Sequence, residues 1–179
     1  MTVADMQADA RRAFVGGGPG ALVSGLAWLA AALALQLAGL RTAYAVLFFG
    51  GFLIYPLSTV LERAVFRRAP AANSNTLVRL GTETLPAMLG VLAVGWLLLD
   101  AAPQLVFPLA AIAVGGRYLV FRTVYGDSLF YALGGALLAV GALSLWMGLP
   151  PPALVPWVVG TVEVIAAAVL IVRASRAEG

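Results

Sequence analysis

The chain has 179 residues, of which 62% are hydrophobic and 11% charged, and its formal net charge is +3. Soluble domains are about half apolar and about a quarter charged, because polar side chains must cover their surface. This composition, with a mean hydropathy of +0.98, excludes a soluble globule and a disordered chain and indicates a polytopic membrane protein.

The sequence has no lysine, no histidine and no cysteine. Without lysine it cannot form a Schiff base with a cofactor or a Walker-type phosphate loop. Without histidine it lacks the base of serine hydrolases and the usual protein ligands of catalytic zinc and haem, and without cysteine it lacks thiolate chemistry. We therefore expect no enzyme activity, no cofactor and no metal site.

Residues 1–15 precede the first long apolar segment and carry four charged side chains. We expect a solvated tail, with a short surface helix as the alternative. The run Gly17-Gly18-Pro19-Gly20 follows it. No strand precedes this run and no lysine follows it, so we interpret it as a flexible turn into a membrane helix and not as a phosphate-binding loop.

Six apolar segments have the length of membrane-spanning helices, which is about 17 to 25 residues. They are residues 20–40, 43–61, 80–99, 104–121, 128–147 and 154–172. Backbone groups inside a bilayer must pair within their own segment, and continuous apolar runs achieve this as helices. The predicted fold is therefore all-α, a polytopic transmembrane bundle of six helices that forms a single domain over residues 1–179.

The arginines are distributed unequally between the two sides of this predicted bundle. Nine of the eleven lie beside the spans on the side of the termini and of the basic loop 62–79, whereas only Arg41 lies on the other side. Positive residues mark cytoplasmic segments, so we expect both termini to be cytoplasmic. The basic loop is expected to attract anionic lipid headgroups, by about 1 kcal/mol per arginine. Nucleic-acid binding is not expected, because the charge is spread over four separate segments.

Glycine is abundant, with 20 residues, and small side chains recur at four-residue spacing. Small residues allow membrane helices to approach backbone to backbone. We interpret them as packing sites within one chain, with homo-oligomer formation as the alternative.

Two ionisable side chains fall inside predicted spans, where charge is costly and usually functional. Arg117 lies in the cytoplasmic half of the fourth span and Glu163 lies near the middle of the sixth. Their depths differ by about 6 Å at 1.5 Å per residue, so we expect an ion pair. The alternative is that Arg117 extends to the membrane interface while Glu163 is protonated and hydrogen-bonded.

Further polar side chains fall at the same depth as these two charges. Aromatic residues near helix ends often form only the interfacial belt, but this set also contains hydroxyls, carboxylates and the helix-breaking Pro56. We therefore predict a polar cavity that opens to the cytoplasm. Its candidate residues are Ser24, Trp28, Tyr55, Ser58, Glu83, Arg117, Tyr118, Tyr125 and Glu163.

Several of these polar residues belong to three sequence motifs, which follow one another in a fixed order within residues 11–145. They are Gly17-Gly18-x-Gly20-x-x-Val23-Ser24-Gly25-x-x-Trp28, Gly50-Gly51-x-x-x-Tyr55-Pro56-x-Ser58 and Arg117-Tyr118-x-x-Phe121-x-x-x-Tyr125-Gly126. The sequence resembles a family of small bacterial multi-pass membrane proteins of unknown function. That family has a histidine where Arg117 stands and a phenylalanine where Tyr55 stands, so the resemblance carries no proton-handling role over to Arg117. It implies a helical fold in the bacterial inner membrane and no particular activity.

For function, the sequence favours transport of a small solute or ion through the predicted cavity. A non-catalytic ligand-binding, structural or assembly protein is the alternative. A membrane enzyme ranks third, because the usual nucleophile–base pairs are missing. The sequence does not identify the ligand.

Overall fold

The structure is a computed structural model, and it describes residues 1–176. Over these residues the chain is helical and contains no strand, which confirms the predicted all-α class. The seven helices described are α1 (Val3–Ala13), α2 (Gly18–Val60), α3 (Thr76–Glu83), α4 (Leu85–Ala101), α5 (Val106–Tyr125), α6 (Leu129–Met147) and α7 (Val155–Arg176).

Five helical segments within residues 1–176 are long and apolar enough to cross a membrane. They are Val15–Val65, Thr76–Ala101, Pro103–Tyr125, Leu129–Met147 and Pro152–Arg176. The first contains two of the predicted spans, and each of the others coincides with one. These lengths and compositions are those of a membrane protein.

Helix α2 is interrupted at Gly39, whose φ of 83° and ψ of 177° are not helical. Glycine adopts such a positive φ without the strain that a side chain would add. The two halves of α2 fold back on each other. This is shown by the short distance between them: a β-carbon on Gly50 would lie 3.2 Å from the β-carbon of Ala27. In an unbroken helix these residues would be about 35 Å apart. Helix α2 is therefore a helical hairpin with its turn at Gly39.

Glycines bring α5 and α6 into backbone contact. A β-carbon on Gly115 would lie 2.9 Å from the carbonyl oxygen of Gly134, and one on Gly141 would lie 2.6 Å from the carbonyl oxygen of Pro108. Any side chain at these positions would push the helices apart. The prediction that glycines pack helices within the chain is confirmed here.

Within residues 1–15, Val3–Ala13 form a helix, which is the stated alternative and not the expected solvated tail. Ala10 and Ala13 of α1 are fully buried. The Gln7 side chain donates a hydrogen bond to the carbonyl of Thr123 at 3.0 Å, and Arg11 donates one to the carbonyl of Tyr125. The expectation was wrong because the stability of α1 comes from its contacts with the end of α5, which its own charge pattern does not reveal.

The basic loop is shorter than the predicted 62–79. A π-helical turn continues α2 through Leu61–Val65, and α3 begins at Thr76. The side chain of Asn75 caps α3 by accepting a hydrogen bond from the Leu77 amide at 3.2 Å. Helix α4 then starts separately at Leu85, because Pro86 fits only the first turn of a new helix. The third predicted span is thus made of α4 and the end of α3.

The N-terminal helix also holds this loop in place. Asp9 accepts hydrogen bonds from the Ala72 amide and the Asn75 side chain, both at 2.9 Å, and pairs with Arg12 at 2.6 Å. Partial burial raises the pKa of Asp9, but the bonds from Asn75, Arg12 and Ala72 outweigh it and hold that pKa below its ordinary value. We refer to the contacts of Asp9 with Arg12, Ala72 and Asn75 as the N-terminal clasp.

Candidate functional site

A cavity of about 290 Å³ lies between α2, the α3–α4 segment and α5, at the end of the bundle that carries α1. The structure brings seven of the nine predicted residues together in its wall. They are Ser24, Trp28, Tyr55, Ser58, Arg117, Tyr118 and Tyr125. The remaining two, Glu83 and Glu163, do not line it.

The deep end of the cavity is apolar. Trp28 lies there with Leu47 of α2 and with Met88 and Leu92 of α4. The Trp28 ring is buried, and its centroid lies 6.4 Å from that of Phe107. These contacts close the cavity toward the middle of the bundle.

Arg117 projects from α5 toward the junction of α3 and α4. Its Nη2 donates a hydrogen bond to the carbonyl of Gly81 at 3.2 Å, and its guanidinium carbon lies 5.0 Å from the centroid of the Phe121 ring. Its Nε is buried and has no hydrogen-bond partner. The Gly81 carbonyl, near the end of α3, also accepts a hydrogen bond from the Thr84 hydroxyl at 3.0 Å. Arg117 therefore stabilises this helix junction with only part of its donor capacity.

Glu163 of α7 is 0% exposed, and neither of its carboxylate oxygens has a hydrogen bond of normal geometry. The Ser24 and Tyr118 side chains are close enough to interact with it, but their geometry falls short of a hydrogen bond. An ionised carboxylate in an apolar interior is costly without a cation, so this burial favours the neutral form of Glu163. Ser24 and Tyr118 separate it from the cavity.

The predicted ion pair between Arg117 and Glu163 is wrong. Within residues 1–176 the ion pairs join Arg12 to Asp9, Arg41 to Asp100 and Arg173 to Asp127. Arg117 points to α3, whereas Glu163 lies against α2 and α5. Equal depth in the membrane brings two side chains together only if the helices are also rotated toward each other, and hydropathy does not give that rotation.

Glu62, absent from the predicted set, is a cavity residue. It is 3% exposed and lines the wall from the π-helical turn Leu61–Val65. Residues Tyr55, Ser58 and Glu62 follow one another by three and four positions, which places them on one helical face. This spacing is the signal that could have identified Glu62 as a cavity residue and not the start of a loop.

Tyr125 lines the same cavity as Glu62 and Arg117. Its ring stacks on Phe130, with centroids 5.1 Å apart, and the Tyr118 ring also stacks on Phe130 at 6.2 Å. Both tyrosines are buried. The aromatic packing holds the two phenols in place in the cavity wall.

Tyr55 and Glu83 are the outermost of the predicted residues. Tyr55 lines the cavity although it is 75% exposed, so it stands at the mouth. Glu83 is exposed and lies in a separate groove between α4 and α5, which shares Arg117 and Met88 with the cavity. In the described part of the chain, no group of three or more acidic side chains lies together as a metal ion would require.

The fold and this site define a helical membrane protein with a cavity of ionisable and aromatic side chains at one end. The family model described as "Family of unknown function (DUF7010)" matches residues 3–173, and the chain belongs to that family. The resemblance to a family of unknown function is thereby confirmed. No curated protein and no solved structure matches the chain.

Proposed function

We propose that the chain crosses a bacterial inner membrane six times, with both termini and the cavity on the cytoplasmic side. The hairpin at Gly39 supports this topology, because it divides Val15–Val65 into two segments that each have the length of one crossing. The basic clusters lie at the cavity end. At the opposite end, Arg41 and Asp100 form an exposed ion pair at 2.9 Å. Anionic lipid headgroups are the expected partners of the basic end.

For activity, we propose transport of a small solute or ion through the cavity. The observation that carries this proposal is the placement of two ionisable side chains, Arg117 and Glu62, in the wall of a cavity inside a membrane protein. Such groups are costly in apolar surroundings and usually mark a solute path. In this proposal the structure is the form open to the cytoplasm.

A plug of three aromatic side chains separates the cavity from the other side of the bundle. Trp28, Tyr44 and Phe107 are all buried, and the Tyr44 hydroxyl donates a hydrogen bond to the carbonyl of Leu92. The centroid of Phe107 lies 6.3 Å from that of Tyr44. Transport requires a second form in which this aromatic plug opens.

The plug also favours the second candidate, a binding protein without transport. If the three rings never separate, the cavity holds a ligand reached from one side only. Catalysis is not proposed for either candidate, because the cavity wall offers arginine, tyrosine and glutamate but no lysine, histidine or cysteine.

Cysteine accessibility distinguishes the two candidates, and the chain has no native cysteine to remove. Ser24→Cys lies in the cavity wall, whereas Ser144→Cys is a matched control that is equally buried but lies outside it. An impermeant thiol reagent is applied to right-side-out and inverted vesicles. Transport predicts labelling of Ser24→Cys from both sides and none of Ser144→Cys. Labelling from the cytoplasmic side alone indicates a binding protein.

A further inference from the structure

Arg117 is a cation in the membrane-embedded part of the bundle without an acidic partner in the described chain. Its contacts are the Gly81 carbonyl at 3.2 Å, the Met88 sulfur at 3.9 Å and the Phe121 ring, all of which are neutral. Its Nε makes no hydrogen bond although it is buried. Arg117 as a whole is half-buried, and a guanidinium in apolar surroundings is stabilised when an anion balances its charge. The cavity that Arg117 lines is where such an anion has room to bind.

The other carboxyl groups near the cavity do not fill this role. Glu62 lies in the same wall but forms no ion pair with Arg117, and Glu163 lies behind Ser24 and Tyr118. Glu83 lies in the outer groove and also forms no ion pair with Arg117. Within residues 1–176, no carboxyl group forms an ion pair with Arg117, which leaves the position of its counter-anion open to a ligand in the cavity.

The exposed part of the cavity wall lies on the side of the bundle. Phe52, which is 53% exposed, and Tyr55 line one edge of the mouth, and the exposed Thr82 lines the other. Phe49 and Leu53, on the same half of α2, are exposed apolar side chains of the kind that face lipid. The mouth therefore lies between α2 and the α3–α4 junction, next to the acyl chains of the cytoplasmic leaflet.

We propose that the cavity binds an amphiphile with one acidic headgroup, a carboxylate or a phosphate, which enters sideways from the lipid. The acid lies on Arg117, and the apolar chain lies at the deep end against Trp28, Leu47 and Leu92. This inference rests on the proposed function, because it names the ligand class of the same cavity. An arginine fork binds both acids through charge-assisted hydrogen bonds, and the apolar end selects against small hydrophilic anions.

Matched ten-carbon probes test the proposal on the purified full-length protein in a nonionic detergent. Decanoate and decyl phosphate carry the acid, methyl decanoate has the same chain without charge, and acetate and inorganic phosphate have the headgroup alone. Native mass spectrometry measures the bound fraction of each. We expect decanoate and decyl phosphate to bind at least about tenfold more tightly than methyl decanoate, as loss of one charge-assisted contact implies. Equal binding of methyl decanoate, or equally tight binding of inorganic phosphate, overturns the proposal.

Substitutions at Arg117 and Gly51 locate the binding in this cavity. Arg117→Met removes the positive charge and is expected to lower the affinity for decanoate to that for methyl decanoate. Arg117→Lys keeps a positive charge and is expected to keep part of the preference for decanoate over methyl decanoate. Gly51→Leu adds a bulky side chain to the cavity wall, and because a β-carbon there meets no atom within 4 Å, we expect the fold to be retained. Gly135→Leu is the control, since that position is equally open but lies outside the cavity. Decanoate binding unchanged in Gly51→Leu overturns the proposal even if Arg117→Met does not fold.

Access from the lipid is tested at the mouth. A fluorophore on Tyr55→Cys in nanodiscs is expected to be quenched by doxyl-labelled lipid and not by iodide. Quenching by iodide alone overturns the sideways mouth. The outcomes also distinguish this inference from the proposal of transport. Acid-selective binding with one-sided labelling of Ser24→Cys supports the acidic amphiphile as ligand and contradicts transport. Two-sided labelling without acid-selective binding contradicts the acidic amphiphile and supports transport.

Discussion

Gly25 of α2 and Gly160 of α7 meet backbone to backbone. A β-carbon on Gly25 would lie 2.9 Å from the carbonyl oxygen of Gly160, and one on Gly160 would lie 2.9 Å from the carbonyl oxygen of Gly25. This crossing point determines what surrounds the buried acid. Ser24 immediately precedes the first glycine and Glu163 follows the second by three residues, so the contact brings Ser24 next to Glu163.

A methyl group at this crossing should destabilise the bundle. Gly25→Ala and Gly160→Ala are each expected to cost about 1–3 kcal/mol, because the overlap with rigid backbone forces the helices apart. Thermal unfolding in detergent measures the loss. Gly135→Ala is the control, since a β-carbon there meets nothing within 4 Å. Equal melting temperatures for all three variants would contradict the close contact.

The neutral state of Glu163 predicts which substitutions it accepts. Glu163→Gln keeps the shape of the side chain and its lack of charge. The free energy of unfolding of this variant should therefore lie within about 1 kcal/mol of that of the parent protein. Glu163→Ala leaves a cavity and should cost about 2–4 kcal/mol. The measurement is thermal unfolding in detergent at neutral pH. A larger loss in the glutamine variant than in the alanine variant would show that the carboxylate is ionised beside a bound cation.

Arg117 and Glu163 should contribute independently to stability. The two side chains make no ion pair and contact different helices. The changes in free energy of unfolding caused by Arg117→Met and Glu163→Leu are therefore expected to sum, within about 0.5 kcal/mol, to the change in the double variant. A double-mutant cycle by thermal unfolding gives the coupling energy. Coupling well above 1 kcal/mol, which is typical of contacting charges, would restore the ion pair that the sequence predicts.

The N-terminal clasp should loosen in acid. The pKa of Asp9 is lower in the folded chain than its ordinary value of 3.8, so its contacts stabilise α1 fully above about pH 4. That stabilisation is lost as the pH falls further and Asp9 takes up a proton. A nitroxide on Asn73→Cys, beside the clasp, should therefore become more mobile by electron paramagnetic resonance as the pH falls below 3.8.

Two controls accompany this titration. Asp9→Asn should give a mobile nitroxide already at neutral pH and no transition in acid. A nitroxide on Pro151→Cys, far from the clasp in sequence, should show no change with pH. Identical titrations with and without Asp9 would mean that another group controls the loop.

The parts of this fold that follow from hydropathy were predictable, and the parts that depend on rotation and tertiary contact were not. The apolar runs predict where each span lies, and Tyr55 and Ser58 were placed in the cavity from their depth alone. Depth does not give the direction of a side chain around the helix axis, so the pairing of Arg117 with Glu163 was wrong. Helix α1 was predicted only as the alternative to a solvated tail, because its order depends on the end of α5, to which Gln7 donates a hydrogen bond.

The number of crossings decides whether the two termini share a side of the membrane. If the α2 hairpin crosses the membrane twice, Leu37, which is exposed near the Gly39 turn, lies on the non-cytoplasmic side, and Asn73 lies on the cytoplasmic side. A single crossing by α2 would place the two termini on opposite sides, because the total would be five. In intact cells, an impermeant thiol reagent should therefore label Leu37→Cys and Pro151→Cys but not Asn73→Cys, and permeabilisation should expose Asn73→Cys. Labelling of Asn73→Cys before permeabilisation would contradict both the six crossings and the cytoplasmic position of the cavity.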